Sequence, residues 1–176
     1  MTKIIYNLFY GRSLCDLTLL MISLLIIWSL LDRCFKYKLQ KVIVWKMINL
    51  FVFVCGVVGI LMVTLMSRNG SEGNVILTPF YSFIEAQSQP EMYRSMFMNI
   101  FLFFPVGLTL PFTLPEKWKR NALITVLIAF LLSFTVEFLQ YHYHLGRAET
   151  DDVLCNTLGA CIGTLSYTLS RKFDQK

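Results

Sequence analysis

The segment MINLFVFVCGVVGILMVTLM, residues 47–66, decides the fold class of this chain of 176 residues. It contains no charged side chain, and a helix of this length, rising about 1.5 Å per residue, crosses a hydrocarbon core of roughly 30 Å. The whole chain is 56% hydrophobic and only 15% charged. An ordinary soluble domain carries about 25% charged residues. We therefore predict an integral membrane protein.

Four more apolar runs extend this prediction along the chain, at residues 17–31, 96–112, 121–140 and 153–169. The third span, residues 96–112, contains Pro105, which removes a backbone donor and is expected to bend the helix, and Gly107, which permits close packing. The pattern predicts an all-α fold, a polytopic membrane helical bundle with about five transmembrane helices. We expect one integral membrane domain over residues 1–176.

Basic residues outside the five spans are distributed unequally between the two sides of the membrane. Eleven follow spans one, three and five, whereas five lie on the opposite side. Because cytoplasmic loops carry the excess of lysine and arginine, the C-terminus is predicted in the cytoplasm and the N-terminus outside it. The net charge of +5 is thus explained by topology, and no nucleic-acid partner is expected.

Small residues form stripes along the last two spans. Steps of three and four residues place Asp152, Asn156, Gly159 and Gly163 on one face of span five. A matching face of span four ends in Glu137 and Gln140. Small residues allow close approach of helix backbones in lipid. The simplest arrangement packs spans four and five face to face.

Polar side chains gather at the predicted extracytoplasmic ends of three spans. The arginine among them is expected to pair with a carboxylate, since its planar fork suits a bidentate contact. Such a group has two interpretations: it ties helix ends together, or it lines a hydrated pocket that binds a ligand. The number of polar groups favours the pocket, whose predicted binding residues are Asn99, Glu137, Gln140, Arg147, Asp152 and Asn156.

The chemistry of this group stays open. Glu137 is a candidate general acid or base, with Arg147 and Asp152 as the other catalytic candidates. The sequence contains no Gly-rich phosphate loop, no HExxH and no GxSxG. His142 and His144 form an HxH that is weak evidence for a metal, and the cysteines show no CxxC spacing. We expect no cofactor and no metal.

Three motifs occur in order along the second half of the chain. They are NIFLFFPVGLTLP at residues 99–111, ExxQ at 137–140 and GRAETDDVLCNTLGACIG at 146–163, preceded by TPF at 78–80. Together they resemble the VanZ-like family of bacterial membrane proteins over about residues 75–167. The resemblance carries over to Asn99, Pro105, Gly107, Glu137, Gln140, Arg147, Asp152, Asn156, Gly159 and Gly163. The family's acidic position after the arginine falls on either Glu149 or Asp151.

The resemblance implies a multi-pass protein of the bacterial cytoplasmic membrane that is associated with resistance to the glycopeptide teicoplanin. We expect a non-catalytic envelope protein whose partners are the bilayer and a cell-envelope lipid or a glycopeptide-related ligand. The alternative is a membrane enzyme that uses Glu137 on a lipid-linked envelope substrate. A transporter ranks third, because no internal repeat is detectable. The oligomeric state stays open.

Overall fold

The computed structural model describes residues 14–38, 40–66, 75–89, 91–115 and 118–173. Its helices are α1 (Leu14–Arg33), α2 (Val42–Leu61), α3 (Tyr81–Glu85), α4 (Glu91–Thr113), α5 (Trp118–His142), α6 (Thr150–Gly163) and α7 (Leu165–Phe173). A π-helical turn follows each of the first two, at Cys34–Lys38 and Met62–Met66. Two short strands, β1 (Val75–Ile76) and β2 (Ala148–Glu149), pair in parallel. The predicted position of the N-terminus and the basic residues Arg68 and Lys117 lie outside the described residues.

Four helices of the described part are long and apolar enough to cross a membrane. They comprise Leu14–Lys38, Val42–Leu65, Glu91–Thr113 and Arg120–His142. The predicted all-α membrane bundle is confirmed, and the protein is a multi-pass membrane protein. Many of the apolar side chains are exposed on the outside of the bundle, as expected where lipid rather than water surrounds a helix.

The predicted fifth span, residues 153–169, differs from the others because two helices divide it at Thr164. The Thr164 hydroxyl donates to the Cys161 carbonyl at 2.7 Å, and that of Ser166 donates to the Gly163 carbonyl at 3.0 Å. Hydroxyls that bond to the preceding turn compete with regular helix geometry. The Thr164 amide still donates to the Ala160 carbonyl at 3.0 Å, so α6 and α7 form a nearly continuous pass.

The glycine stripe of α6 packs mainly on α4. A methyl group added at Gly159 would lie 2.0 Å from the Ile100 carbonyl oxygen, and one at Gly163 would lie 2.4 Å from that of Phe104. One at Gly107 of α4 would lie 1.9 Å from the Ala160 oxygen. Only residues without a side chain permit this approach. The prediction that the glycine face of span five packs on span four is therefore wrong, because Gly159 and Gly163 pack on α4. Helix α5 also contacts α6, through other residues.

The end of the bundle where α1 and α7 finish is held by polar contacts that the sequence did not predict. The Ser170 hydroxyl donates to a carboxylate oxygen of Asp32 at 2.5 Å, and Arg171 approaches the same carboxylate at 4.0 Å. The Asn121 amide, at the start of α5, donates to the Pro115 carbonyl at 2.7 Å and to the Tyr167 hydroxyl at 3.1 Å. These contacts join the first, fourth and last passes at the end opposite to the predicted site.

Candidate functional site

A polar cluster lies where α2, α4 and α6 meet the C-terminal end of α5. The sequence predicted most of its members, and the fold brings them to one end of the bundle. Glu137 is 7% exposed, Gln140 1% and Asn156 3%. Burying a polar group costs free energy unless the group is hydrogen-bonded. The hydrogen bonds of each side chain therefore show which parts of the fold the cluster joins.

Two contacts join α6 to its neighbours within the cluster. The Asn99 amide on α4 donates to an oxygen of Asp152 at 2.6 Å. The Asn156 amide donates to the Ser133 hydroxyl on α5 at 2.8 Å. The predicted convergence of spans three, four and five at this depth is therefore present in the fold.

Glu137 and Gln140 extend the cluster from α5 in two directions. An oxygen of Glu137 accepts the backbone N–H of Glu149 at 3.0 Å, which fixes the start of the last pass against α5. The Gln140 amide donates to the Thr64 carbonyl at 3.1 Å, in the π-helical turn that follows α2. Gln140 therefore satisfies a carbonyl that the widened helical turn leaves available.

Arg147 pairs with carboxylates, as predicted, but its partners are Glu149 and Glu85. Its Nε donates to Glu149 at 2.8 Å and its Nη2 donates to Glu85 at 3.3 Å. Burial lowers the pKa of the Arg147 guanidinium, but hydrogen bonding and charge attraction from Glu149 and then Glu85 raise it above its ordinary value. Arg147 therefore remains a cation that links the loop after α5 to α3.

Asp151 holds the segment before α3 through both of its oxygens. The backbone N–H groups of Phe80 and Ser82 donate to these oxygens at 2.6 and 2.7 Å, and the side chain is 3% exposed in total. Phe80 adopts a left-handed conformation with φ of 63°, which is strained for a bulky residue. That conformation aims two backbone donors at one carboxylate. Asp151 thus ties the segment before α3 to the start of α6.

Its position between two spans suggests that Glu149 lies in an exposed loop. The structure instead places it in β2, largely buried. Its side chain is 11% exposed and, besides Arg147, it accepts the Ser82 hydroxyl at 3.1 Å. Sequence reasoning missed Glu85 and Ser82 altogether. The TPF element at residues 78–80 could have pointed to them, because this segment precedes the three motifs that resemble the family and lies close to Ser82 and Glu85 in the chain.

Two acceptors in the cluster lack a partner. Within the described part of the chain, Oε1 of Gln140 and Oδ1 of Asn156 are buried and accept no hydrogen bond. Native structures leave few buried polar atoms unsatisfied, and each one requires an explanation. Both belong to residues predicted to line a pocket, and each oxygen keeps an unused acceptor site.

The two histidines lie beside the cluster and are exposed. The His142 ring stacks on Phe138 with centroids 6.0 Å apart and meets the edge of Tyr143 at 4.9 Å. Residues 14–38, 40–66, 75–89, 91–115 and 118–173 contain no group of three or more metal-ligating side chains placed to hold an ion. The ring contacts account for His142 as an aromatic surface residue.

Comparisons with known proteins agree with the motifs. A family model described as VanZ/LLP1 matches residues 50–171. Protein VanZ from Enterococcus faecium is similar to this chain, with 34% identity over 80 residues, which is 46% of this chain and 48% of that protein. The chain thus matches about half the length of this curated relative. No solved structure matches the chain.

Proposed function

The chain belongs to the VanZ/LLP1 family, and we propose on that premise that it is a bacterial cell-envelope protein that raises tolerance to teicoplanin. In this proposal the polar cluster is a binding site that opens toward the extracytoplasmic side. Its binding residues are Asn99, Glu137, Gln140, Arg147, Asp152 and Asn156. The ligand is a cell-envelope component or a glycopeptide-related molecule.

The observation that carries this proposal is the pair of buried amide oxygens without partners. If the cluster served only to tie helix ends together, its amides would be expected to satisfy one another. Gln140 and Asn156 instead each use the donor nitrogen within the fold and leave the acceptor oxygen without a partner. A ligand that carries hydroxyl or amide donors complements these oxygens.

Expression of the protein in a teicoplanin-sensitive host tests the proposed function. The minimum inhibitory concentration of teicoplanin should rise several-fold over an empty vector, whereas that of a cytoplasmic-target antibiotic should not change. An unchanged teicoplanin value, with the protein present in the membrane, would remove the glycopeptide from the proposal.

We also propose that the cluster lies in the outer half of the cytoplasmic membrane, with the C-terminus inside the cell. The support is the excess of basic residues at the opposite end of the bundle. Tyr143, in the loop that follows α5, is 63% exposed and therefore accessible to a reagent at this end of the bundle. In a cysteine-free background, Tyr143→Cys should react with an impermeant thiol reagent in intact cells.

The matched reporter for the other side is Lys41→Cys, which is exposed between α1 and α2. It should react only after the cells are lysed. The reverse pattern of labelling would place the cluster in the cytoplasm and refute an extracytoplasmic site.

A second candidate function is a membrane enzyme in which Glu137 transfers a proton. Its support is the position of Glu137. This carboxylate is 7% exposed and accepts the backbone N–H of Glu149, whose side chain forms an ion pair with Arg147. Turnover separates the two functions: only the enzyme would convert part of an envelope lipid extract into a new species when purified protein is added.

A further inference from the structure

A small cavity lies at the end of the bundle opposite to the polar cluster, where α1 and α7 finish and α2 begins. It has a volume of about 10 Å³, which is the space that one water-sized group needs. The charged side chains that line it, among the described residues, are Asp32, Lys36, Lys46 and Arg171. Three cations and one carboxylate give this lining an excess of positive charge.

The carboxylate of Asp32 is already engaged within the fold. It accepts the Ser170 hydroxyl at 2.5 Å, and Arg171 approaches it at 4.0 Å. The Arg171 guanidinium also lies over the ring of Tyr167, 5.1 Å from the ring centroid. Asp32 therefore positions Arg171 and offsets one positive charge, and the charges of Lys36 and Lys46 remain in excess at the cavity.

Trp45 brings a hydrogen-bond donor to the same cavity. It is 4% exposed, and within the described part of the chain its indole N–H has no acceptor. The ring is fixed by stacking on Phe35, with centroids 5.0 Å apart, and by the edge of Phe112 at 5.9 Å. The neighbouring Trp28, in contrast, donates its N–H to the Asn49 side chain at 2.8 Å. Because a buried donor without an acceptor costs free energy, Trp45 is suited to a ligand that supplies one.

The cavity lies at the height of a membrane surface. Lys36 is near the end of the first membrane-spanning segment and Lys46 is near the start of the second. Both lysines are half-buried. Basic residues at this end also agree with a cytoplasmic location, but topology alone requires neither a cavity nor a buried donor beside the charges. Basic pockets between membrane helices at this height recognise phosphorylated lipid headgroups.

We propose that this cavity binds a phosphate group. One phosphate oxygen enters the cavity and accepts the Trp45 N–H, and the others face Lys36 and Lys46. A phosphodiester offers only acceptors and a negative charge, which is what a lining of donors and cations complements. The phosphate belongs to the headgroup of an anionic lipid or is free in solution. The inference is separate from the proposed function, because the two sites lie at opposite ends of the bundle.

Native mass spectrometry of the full-length protein, released from micelles of a neutral detergent, tests this inference. The probes are phosphatidylglycerol and glucosyl diacylglycerol with identical acyl chains, supplied in equal amounts. The wild type should retain the phospholipid at least about tenfold better, since each lysine near a membrane surface contributes a factor of about five for an anionic headgroup. Equal retention, or a preference for the glycolipid, would overturn the phosphate assignment.

Inorganic phosphate distinguishes the two sources of the group. If the site takes free phosphate, inorganic phosphate should raise the thermal unfolding midpoint of the delipidated protein and displace phosphatidylglycerol. If the site takes a lipid headgroup, the preference for phosphatidylglycerol should persist when inorganic phosphate is added. A protein that shows neither response contradicts the proposal.

Two phenylalanine variants test the indole donor. Trp45→Phe keeps an aromatic ring and removes the N–H, so phosphatidylglycerol retention should fall about tenfold, since hydrogen bonds to charged groups are the strong ones. Trp28→Phe is the matched control, because the Trp28 N–H is already used by Asn49, and it should retain the lipid as the wild type does. Equal retention by the two variants would exclude Trp45 from the site.

A pair of lysine variants separates the cavity from general surface charge. Lys46→Gln removes a cation that lines the cavity, whereas Lys41→Gln removes an exposed cation at the same end that does not line it. Retention of phosphatidylglycerol should fall about fivefold in the first and much less in the second. Equal losses would mean that the lipid responds to surface charge and would overturn the cavity as the site. Thermal unfolding in detergent verifies folding, and if Trp45→Phe does not fold, the lysine pair decides.

Discussion

Replacement of Gly159 by alanine is expected to destabilise the bundle strongly. The new methyl group would lie 2.0 Å from the Ile100 carbonyl oxygen and 3.0 Å from its Cα. Both atoms belong to the backbone of α4, so the clash is relieved only if the two helices separate. Overpacking in a close-packed interior typically costs about 1–3 kcal/mol, and the loss here should reach the upper end of that range because backbone atoms cannot move aside. The measurement is the thermal unfolding midpoint in detergent, together with abundance in the membrane.

Gly59 on α2 provides the matched control. A methyl group added there has no heavy atom within 4 Å, and alanine favours a helix over glycine by about 1 kcal/mol. Gly59→Ala should therefore unfold at the wild-type temperature or slightly above it. If Gly159→Ala and Gly59→Ala behave alike, the close crossing of α4 and α6 is not what holds these helices together.

The glycine crossing also indicates how far the sequence predicts the fold. Spacing identifies the face of a helix that carries Gly159 and Gly163, because the helical period is fixed by the backbone. It does not identify the partner, since spans three and four both offer a face with small residues. The sequence analysis identified Gly107 of span three as a residue that permits close packing. Its close approach to Ala160 on α6 shows that span three is the partner of the glycine face.

The division of the last pass at Thr164 has a different origin. Hydropathy measures whether a segment is apolar over its length, and residues 153–169 satisfy that criterion. It does not register which hydroxyl bonds to which carbonyl. The bonds of Thr164 and Ser166 to the preceding turn interrupt the helix without making it less apolar.

The polar cluster was predicted where its residues lie on long helices, and missed where they lie in loops. Asn99, Glu137 and Asn156 converge because each is fixed at a known height on a membrane-spanning helix. The Arg147–Glu85 pair joins residues 62 positions apart, so no local sequence pattern predicts it. The left-handed Phe80 is likewise set by Asp151, a contact that exists only once the bundle has formed.

Glu137→Gln is expected to abolish teicoplanin tolerance while the protein accumulates in the membrane at near-normal level. The amide keeps the shape of the side chain and retains an oxygen that accepts the Glu149 N–H, so folding is largely preserved. The negative charge is lost, and with it the ability to bind a strongly polarised donor or to accept a proton. Asp152→Asn and Arg147→Gln should give the same result. The ion pairs of Arg147 contribute little to stability, because its side chain is 37% exposed.

Glu91→Gln is the control for these variants, because Glu91 is an exposed carboxylate in the first turn of α4, near the same end of the bundle. It should confer wild-type tolerance. Glu149→Gln is not a neutral control, since Glu149 binds both Arg147 and Ser82, and it should reduce tolerance as well. The decisive comparison sets inhibitory concentration beside membrane abundance for each variant. Tolerance that falls only in proportion to abundance would mean that the cluster stabilises the helix ends, because the charge of Glu137 would then act through folding rather than through a ligand.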